Sequence, residues 1–224
     1  MHALLAHDVF VTGGTGYMGQ QLVPALLQRG HRVRVLTRAS SVSRVPAGAE
    51  AVIGEALDAT SFVSALRPTD TIVHLVGTPH PNPRKAAEFT RVDLASIRAT
   101  VQAAQLRRTP HVVYVSVAHP APMMHDYIAA RTAGEQSIRD AALTATVLRP
   151  WYVLGPGHWW PLVLTPLYAI GARIPAFRDG ATRLGLVTLK QMVRALVTAV
   201  EQPPAQGTVS VMDVPTIRRQ KWLS

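Results

Sequence analysis

Four glycines crowd into the stretch Thr12-Gly13-Gly14-Thr15-Gly16-Tyr17-Met18-Gly19, and three of them fall as Gly14-x-Gly16-x-x-Gly19. Glycine at this spacing suits a turn that bends sharply, brings bare backbone against a pyrophosphate, and then lets a helix pack closely on its strand. Residues 13–19 are therefore the candidate cofactor cradle, in which unpaired N–H groups at a helix N-terminus would face phosphate oxygens. A second chemical signal is arginine about twenty residues on: Arg38, with Arg34 before it and Arg44 beyond. Sites that bind NAD place a carboxylate there for the ribose hydroxyls, whereas a guanidinium pairs bidentately with a 2′-phosphate. NADP is thus favoured, with NAD as the alternative. A third is aromatic: Trp151, Tyr152, Trp159 and Trp160 cluster where core packing alone does not require them, and offer an apolar wall for a substrate.

The elements that must position these residues are legible in order. Val9-Phe10-Val11 is a β-branched and aromatic run ahead of the glycines, and Gln20 to Gly30 is an apolar-periodic helix closed by glycine. Further strands are expected at His31–Arg38, Ala49–Ile53, Thr71–Val76, His111–Ser116, Thr144–Leu148, Leu184–Val187 and Thr208–Met212. Helices are expected over about Thr60–Leu66, Arg84–Leu106, His125–Ala141, Pro161–Ala172 and Leu189–Glu201, with an irregular loop from Trp151 to Gly157 and a loose basic tail from Ile217 to Trp222. Alternating strands and helices define an α/β chain with a parallel, doubly wound Rossmann-type sheet flanked by helices. Residues 1–224 read as a single domain, with 151–224 forming a small C-terminal substrate-side part. The turn containing Leu57 and Asp58, and Val76-Gly77-Thr78 at the end of the central strand, lie where backbone must skirt the cofactor; Asp58 either caps the next helix or approaches the adenine. His74, inside a continuous apolar run, reads as a core histidine. Tyr127 and Arg131, four apart on one helix, share a face.

Composition narrows the function classes. Cysteine is absent, which excludes disulfides, thiolate metal sites and cysteine nucleophiles, and the nine histidines, mostly expected on the surface or in loops, have no metal-ligand spacing. No metal site is expected. The net charge is +10, carried almost wholly by arginine, since lysine occurs only at Lys85, Lys190 and Lys221. Without a basic run interleaved with aromatics, this reads as a solvated arginine-rich surface rather than a nucleic-acid interface. The segment from Pro150 to Ala172 contains no Asp, Glu, Lys or Arg, but Pro156, Pro161, Pro166 and three glycines interrupt it, so it reads as a pocket wall or an interfacial helix in peripheral contact with a membrane, not as a span. Residues 1–8 show no basic region or cleavage site, and the expected location is cytoplasmic.

Taken together these residues resemble the short-chain dehydrogenase/reductase superfamily, in its extended and atypical NAD(P)-binding branch. Thr12 to Gly19 is similar to that family's TGxxGxxG signature, Gly54 to Asp58 to its G-D-x-x-D turn with Glu55 substituted, Val115-Ser116 to its strand-end serine, and Leu148-Arg149-Pro150 with Gly155-Pro156-Gly157 to its R-P-x-x-x-x-G-P-G segment. The resemblance implies that Tyr127 presents its phenol to the substrate oxygen, that Ser116 orients or polarises a substrate carbonyl, and that Pro150 borders the cofactor. It also implies a lysine four residues after the tyrosine, where this chain has Arg131. Arginine can hydrogen-bond the nicotinamide ribose and stabilise a phenolate, but it does not lose a proton at neutral pH, so no proton relay passes through it. Two readings follow. The preferred one is an NADPH-dependent reductase that passes hydride to a carbonyl or activated double bond of an apolar small molecule; the other is a non-catalytic dinucleotide sensor or accessory protein, as found in this branch among regulators and a respiratory-complex subunit. Oligomeric state is open at this level.

Overall fold

A computed structural model describes residues 6–156 and 184–220. Strands β1 (Asp8–Thr12), β2 (Arg32–Thr37), β3 (Glu50–Ile53), β4 (Asp70–His74), β5 (His111–Val115) and β6 (Ala145–Leu148) join β9 (Val209–Met212) in one parallel seven-stranded sheet of order β3-β2-β1-β4-β5-β6-β9. The chain builds outward from β1 through β2 and β3, then crosses back to β4 and builds outward the other way. That reversal opens a crevice at the C-terminal ends of β1 and β4, where doubly wound sheets bind their ligands.

The central strands β1, β4, β5 and β6 are buried on both faces, and their apolar side chains sort by period two. Val9, Val11, Val35, Val73 and Val113 pack against Leu22 and Leu26 of α1 (Gly19–Gln28) and against Met192 and Leu196 of α4 (Leu189–Glu201). Phe10, Ile72, Val112, Tyr114 and Val147 face the other way, onto Ile97 and Ala104 of α2 (Ala95–Arg107) and Ile138 of α3 (His125–Asp140). Burying each such side chain contributes on the order of 1.5–3 kcal/mol, which is what holds two helical layers on one sheet.

The structure departs from the sequence reading in four places. Residues 60–66 form two short 3-10 turns, Ala59–Ser61 and Val63–Ala65, where Ser61 Oγ bonds back to the Glu55 and Asp58 carbonyls and competes with helical pairing. The long helix after the Pro-rich loop is interrupted: a turn at Ala86–Glu88 passes into a π-helical segment, Phe89–Leu94, before α2, and this wider winding turns Phe89, Asp93 and Leu94 all inward. The expected loop after Trp151 contains strand β7 (Tyr152–Leu154), paired in parallel with β8 (Leu186–Thr188), a partner too distant in sequence to be read locally. The expected loose tail folds through Arg219 as α5 (Val214–Arg219), capped by Asp213 and anchored by buried Val214 and Ile217. Trp159, Trp160, Trp222 and the helix expected at 161–172 lie outside the described residues.

Among the described histidines, His31, His74 and His111 are buried. His74 is the core histidine that was expected: Thr12 Oγ1 and Thr100 Oγ1 lie 2.9 and 3.0 Å from its Nδ1, and Ser96 Oγ lies 3.3 Å from its Nε2. Among the described residues no group of three or more histidine, aspartate or glutamate side chains is placed to hold a metal, and no helix is long and apolar enough to cross a membrane.

Candidate active site

The glycine turn connects β1 to α1 at the crevice. Its sharp bend falls on Gly13 rather than Gly14: Gly13 has φ +78, and a Cβ there would lie 2.9 Å from the backbone of Leu75 and Val76. Gly14 gives space to Val35, whose side chain would be 2.7 Å from an added Cβ, and Gly19 lets α1 close onto the turn, where an added Cβ would come within 2.4 Å of Gly14 Cα. Only Gly16 has an open flank, meeting nothing but the Gly13 carbonyl oxygen at 3.1 Å. Met18 at the head of α1 makes no side-chain cap, and the first turn carries no acidic residue. A bare cradle beside an uncapped helix N-terminus fits a pyrophosphate. Tyr17 reaches over this turn toward Gly155, where an added Cβ would lie 2.2 Å from the phenol oxygen, and desolvation raises its pKa.

The arginines that suggested a 2′-phosphate separate. Arg34 is removed from that role: it is buried, its Nη2 lies 2.6 Å from Asp70 Oδ1, and it also donates to the Ala65 carbonyl, so it ties β2 to β4 on the far face of the sheet. Arg38 stands exposed at the end of β2, heading the 3-10 turn Ala39–Arg44. Arg44 reaches back across the crevice mouth, its Nη2 donating to the Thr15 carbonyl at 2.8 Å. Beyond β3, Asp58 takes the capping alternative, accepting from the Thr60 amide at 2.9 Å, while Leu57 is exposed.

On the other side of the crevice, α3 approaches β5 closely because Gly134 faces Tyr114; an added Cβ would be 2.7 Å from the Tyr114 phenol oxygen. That closeness lets Arg131 extend under the ends of β4 and β5. Its Nη1 donates to the Val115 carbonyl at 2.9 Å and to Val76 at 3.4 Å, and its Nη2 lies 2.6 Å from Asp93 Oδ1. The pair sits on Gly77, where an added Cβ would meet Arg131 Nη2 at 2.1 Å. Asp93 Oδ2 in turn accepts from the Thr78 amide and hydroxyl at 3.0 and 2.6 Å. Burial opposes the charge on Arg131, but Tyr127, Tyr114 and Asp93 around it hold its pKa above the ordinary arginine value. The Arg131 guanidinium lies 5.2 Å from the Tyr127 ring, and Phe89 packs on that ring edge-on at 5.0 Å, leaving Tyr127 half-buried beside the cation. Arg131 Nε and Asp93 Oδ1, both buried, have no hydrogen-bond partner among the described residues, so Arg131 and Asp93 are held to each other as an ion pair.

Ser116 is buried at the end of β5, and its hydroxyl donates to Glu135 Oε1 at 2.7 Å. Glu135 is itself buried, with Arg149 Nε 2.9 Å away and His119 Nε2 at 3.6 Å. Burial works against ionisation of this carboxyl, but the bonds from Arg149 and Ser116 hold its pKa below the usual range. Asp93 and Glu135 are the two site residues that the sequence reading missed. Glu135 shares a four-residue spacing on one helix with Tyr127 and Arg131, but which way that face points is set by packing, and nothing in the sequence marks Asp93. Pro150, Trp151 and Tyr152 follow β6 at the same end of the sheet; Pro150 accepts from the Ala118 amide, and the two aromatic rings meet edge-on at 5.8 Å. Together, these residues gather at one crevice the glycine cradle, an arginine edge, a tyrosine beside a buried cation, and a serine held by an anion.

The chain belongs to the NAD dependent epimerase/dehydratase family, whose model matches residues 9–212. Among characterised relatives it is 29% identical over 208 residues to a ceramide reductase from Caulobacter vibrioides, covering 92% of this chain and 64% of that protein. It is also 29% identical to a 3-diazoavenalumate denitrifying reductase from a Streptomyces species, covering 96% of this chain and 79% of that protein. Among solved structures, MoeE5 in complex with UDP-glucose and NAD superposes with a TM-score of 0.67 at 21% identity, over 94% of this chain and 79% of that one. The last likeness shows the shared Rossmann-type fold. The chain thus spans about two thirds to four fifths of the length of these proteins.

Proposed function

We propose that the protein is an NAD(P)-dependent oxidoreductase that prefers NADPH and reduces a carbonyl or activated double bond of an apolar small molecule. The observation that carries this reading is the placement of Tyr127: its phenol ring lies against the buried Arg131 cation at the C-terminal ends of β4 and β5, across the crevice from the glycine cradle. Gly13 to Gly19 would hold the pyrophosphate, Arg38 and Arg44 the 2′-phosphate, and Val76 to Thr78 with Pro150 the nicotinamide side. Bound there, the nicotinamide supplies hydride. Tyr127 delivers a proton to the substrate oxygen or carbon, and the adjacent cation stabilises the phenolate that remains. The single proton of Ser116 is engaged by Glu135, so toward the crevice Ser116 offers lone pairs and orients a hydroxyl or the phenol itself. Trp151 and Tyr152 form an apolar flank for the substrate, to which Trp159 and Trp160 belong by sequence.

A specific observation favours the non-catalytic reading as the alternative: Ser116 donates to buried Glu135, and Arg131 is ion-paired with buried Asp93 and donates to the Val76 and Val115 carbonyls. NADPH oxidation assayed against quinones, enones, aromatic aldehydes and long-chain ketones separates the two. The reductase reading expects turnover with at least one class; tight NADPH binding without oxidation by any of them would favour the sensor.

A further inference from the structure

Asp93 is a fully buried carboxylate that no step of the proposed chemistry uses. It lies on the π-helical segment Phe89–Leu94, which aims it at the site, and it is hydrogen-bonded through one oxygen and ion-paired through the other. One oxygen, Oδ2, receives the Thr78 amide and hydroxyl; the other, Oδ1, faces Arg131 Nη2 at 2.6 Å. On one side stand two hydrogen-bond donors and on the other a cation. Only a carboxylate suits both, since an amide in its place would turn an NH₂ group either toward the guanidinium or toward the Thr78 amide. The guanidinium so held completes the clamp through the Val76 and Val115 carbonyls, with Gly77 bare beneath it.

The clamped segment, Val76 to Thr78, follows β4 on the side of the crevice opposite β2. In a doubly wound sheet one mononucleotide is read at the end of β2, and the other lies on the β4 and β5 side. We infer that Asp93 is the positioning residue of the nicotinamide half of the site: its carboxylate locks Arg131 and Thr78 together and so sets the backbone on which that half rests, without touching the adenosine half. This rests on the dinucleotide reading proposed above. It also explains why an arginine occupies position 131, because a forked cation can span Asp93, Val115 and Val76 at once, whereas a lysine ammonium is a single point of charge.

The test compares two ligands by calorimetric titration, NADP⁺ and 2′,5′-ADP, which carries only the adenosine half. In Asp93→Asn, affinity for NADP⁺ should fall at least tenfold while affinity for 2′,5′-ADP stays within twofold of wild type, and the Thr78 amide should lose its protection from hydrogen exchange. An equal fall for both ligands, or no fall for either, would overturn the inference. Wild-type protein that bound neither ligand would overturn the dinucleotide reading as well, so the two failures are distinguishable. Should Asp93→Asn not fold alone, the double variant Asp93→Asn/Arg131→Lys replaces it, since one amide oxygen is enough to accept from one ammonium. It should bind NADP⁺ at least as tightly as Arg131→Lys alone, and a further tenfold loss would count against the coupling.

Discussion

At the scale of single residues the site is an accounting of donors and acceptors. Gly16 has the one open flank in the glycine turn, so Gly16→Val should abolish dinucleotide binding in a folded protein by filling the pyrophosphate space. Unchanged calorimetric affinity for NADPH in that variant would remove the proposed cradle. Arg38 and Arg44 lead to a second expectation, that NADPH binds more tightly than NADH. A charge-assisted hydrogen bond contributes on the order of 1.5–3 kcal/mol, so the preference should be tens-fold or more and should vanish in Arg38→Ala/Arg44→Ala. Equal affinities in the wild type would refute it. The places of the glycine turn and of the arginines after β2 were legible, because glycines and strand-end arginines announce themselves by spacing. What was not legible was pairing: Arg34 looked like Arg38 in sequence, and only the location of Asp70 on β4, across β1, shows that it is a buried structural cation. Asp93 and Glu135 were missed for the same reason, as acidic residues on helices whose inward direction depends on a π-helical segment and on the packing of α3.

At the scale of elements, the close approach of α3 to β5 brings Tyr127, Arg131 and Glu135 to the strand ends. Gly134 permits it, and an added Cβ would collide with the Tyr114 phenol oxygen at 2.7 Å. Gly134→Ala should therefore cost roughly 1–3 kcal/mol through overpacking, against the small helix-propensity gain of alanine. It should also weaken turnover more than adenosine-half binding, because α3 moves and the glycine turn does not. A variant of full stability and activity, measured by urea unfolding and NADPH oxidation, would show that the contact is not tight. Long elements with strong periodicity, such as β4, α1 and α4, were readable to within a residue or two. The failures fell where local preference was weak or the partner distant: the 3-10 turns at 59–65, the π-helical segment, and the β7 and β8 pair joined across the substrate side.

At the scale of the whole molecule, the buried histidines make stability depend on pH. Burial, helped by nearby Arg131, holds His74 down to about 3, and burial, helped by His7, holds His111 down to about 4, so both stay neutral in the folded protein under ordinary conditions. In the unfolded chain they take up protons near the usual ~6.5. Between about pH 6.5 and 4 the unfolded state binds more protons, and stability should fall with decreasing pH by up to ~1.4 kcal/mol per pH unit for each histidine. Urea unfolding at pH 7, 6 and 5 checks this, and His111→Gln should flatten the slope; stability independent of pH over this range would contradict the burial of both rings. The central claim, that the whole sheet assembles a reductase crevice around Tyr127, has its most direct measurement in Tyr127→Phe, assayed with a substrate that the wild type reduces. Loss of one hydroxyl should leave NADPH affinity nearly intact and cut turnover by roughly 10²–10⁴. Turnover equal to that of the wild type would contradict the account.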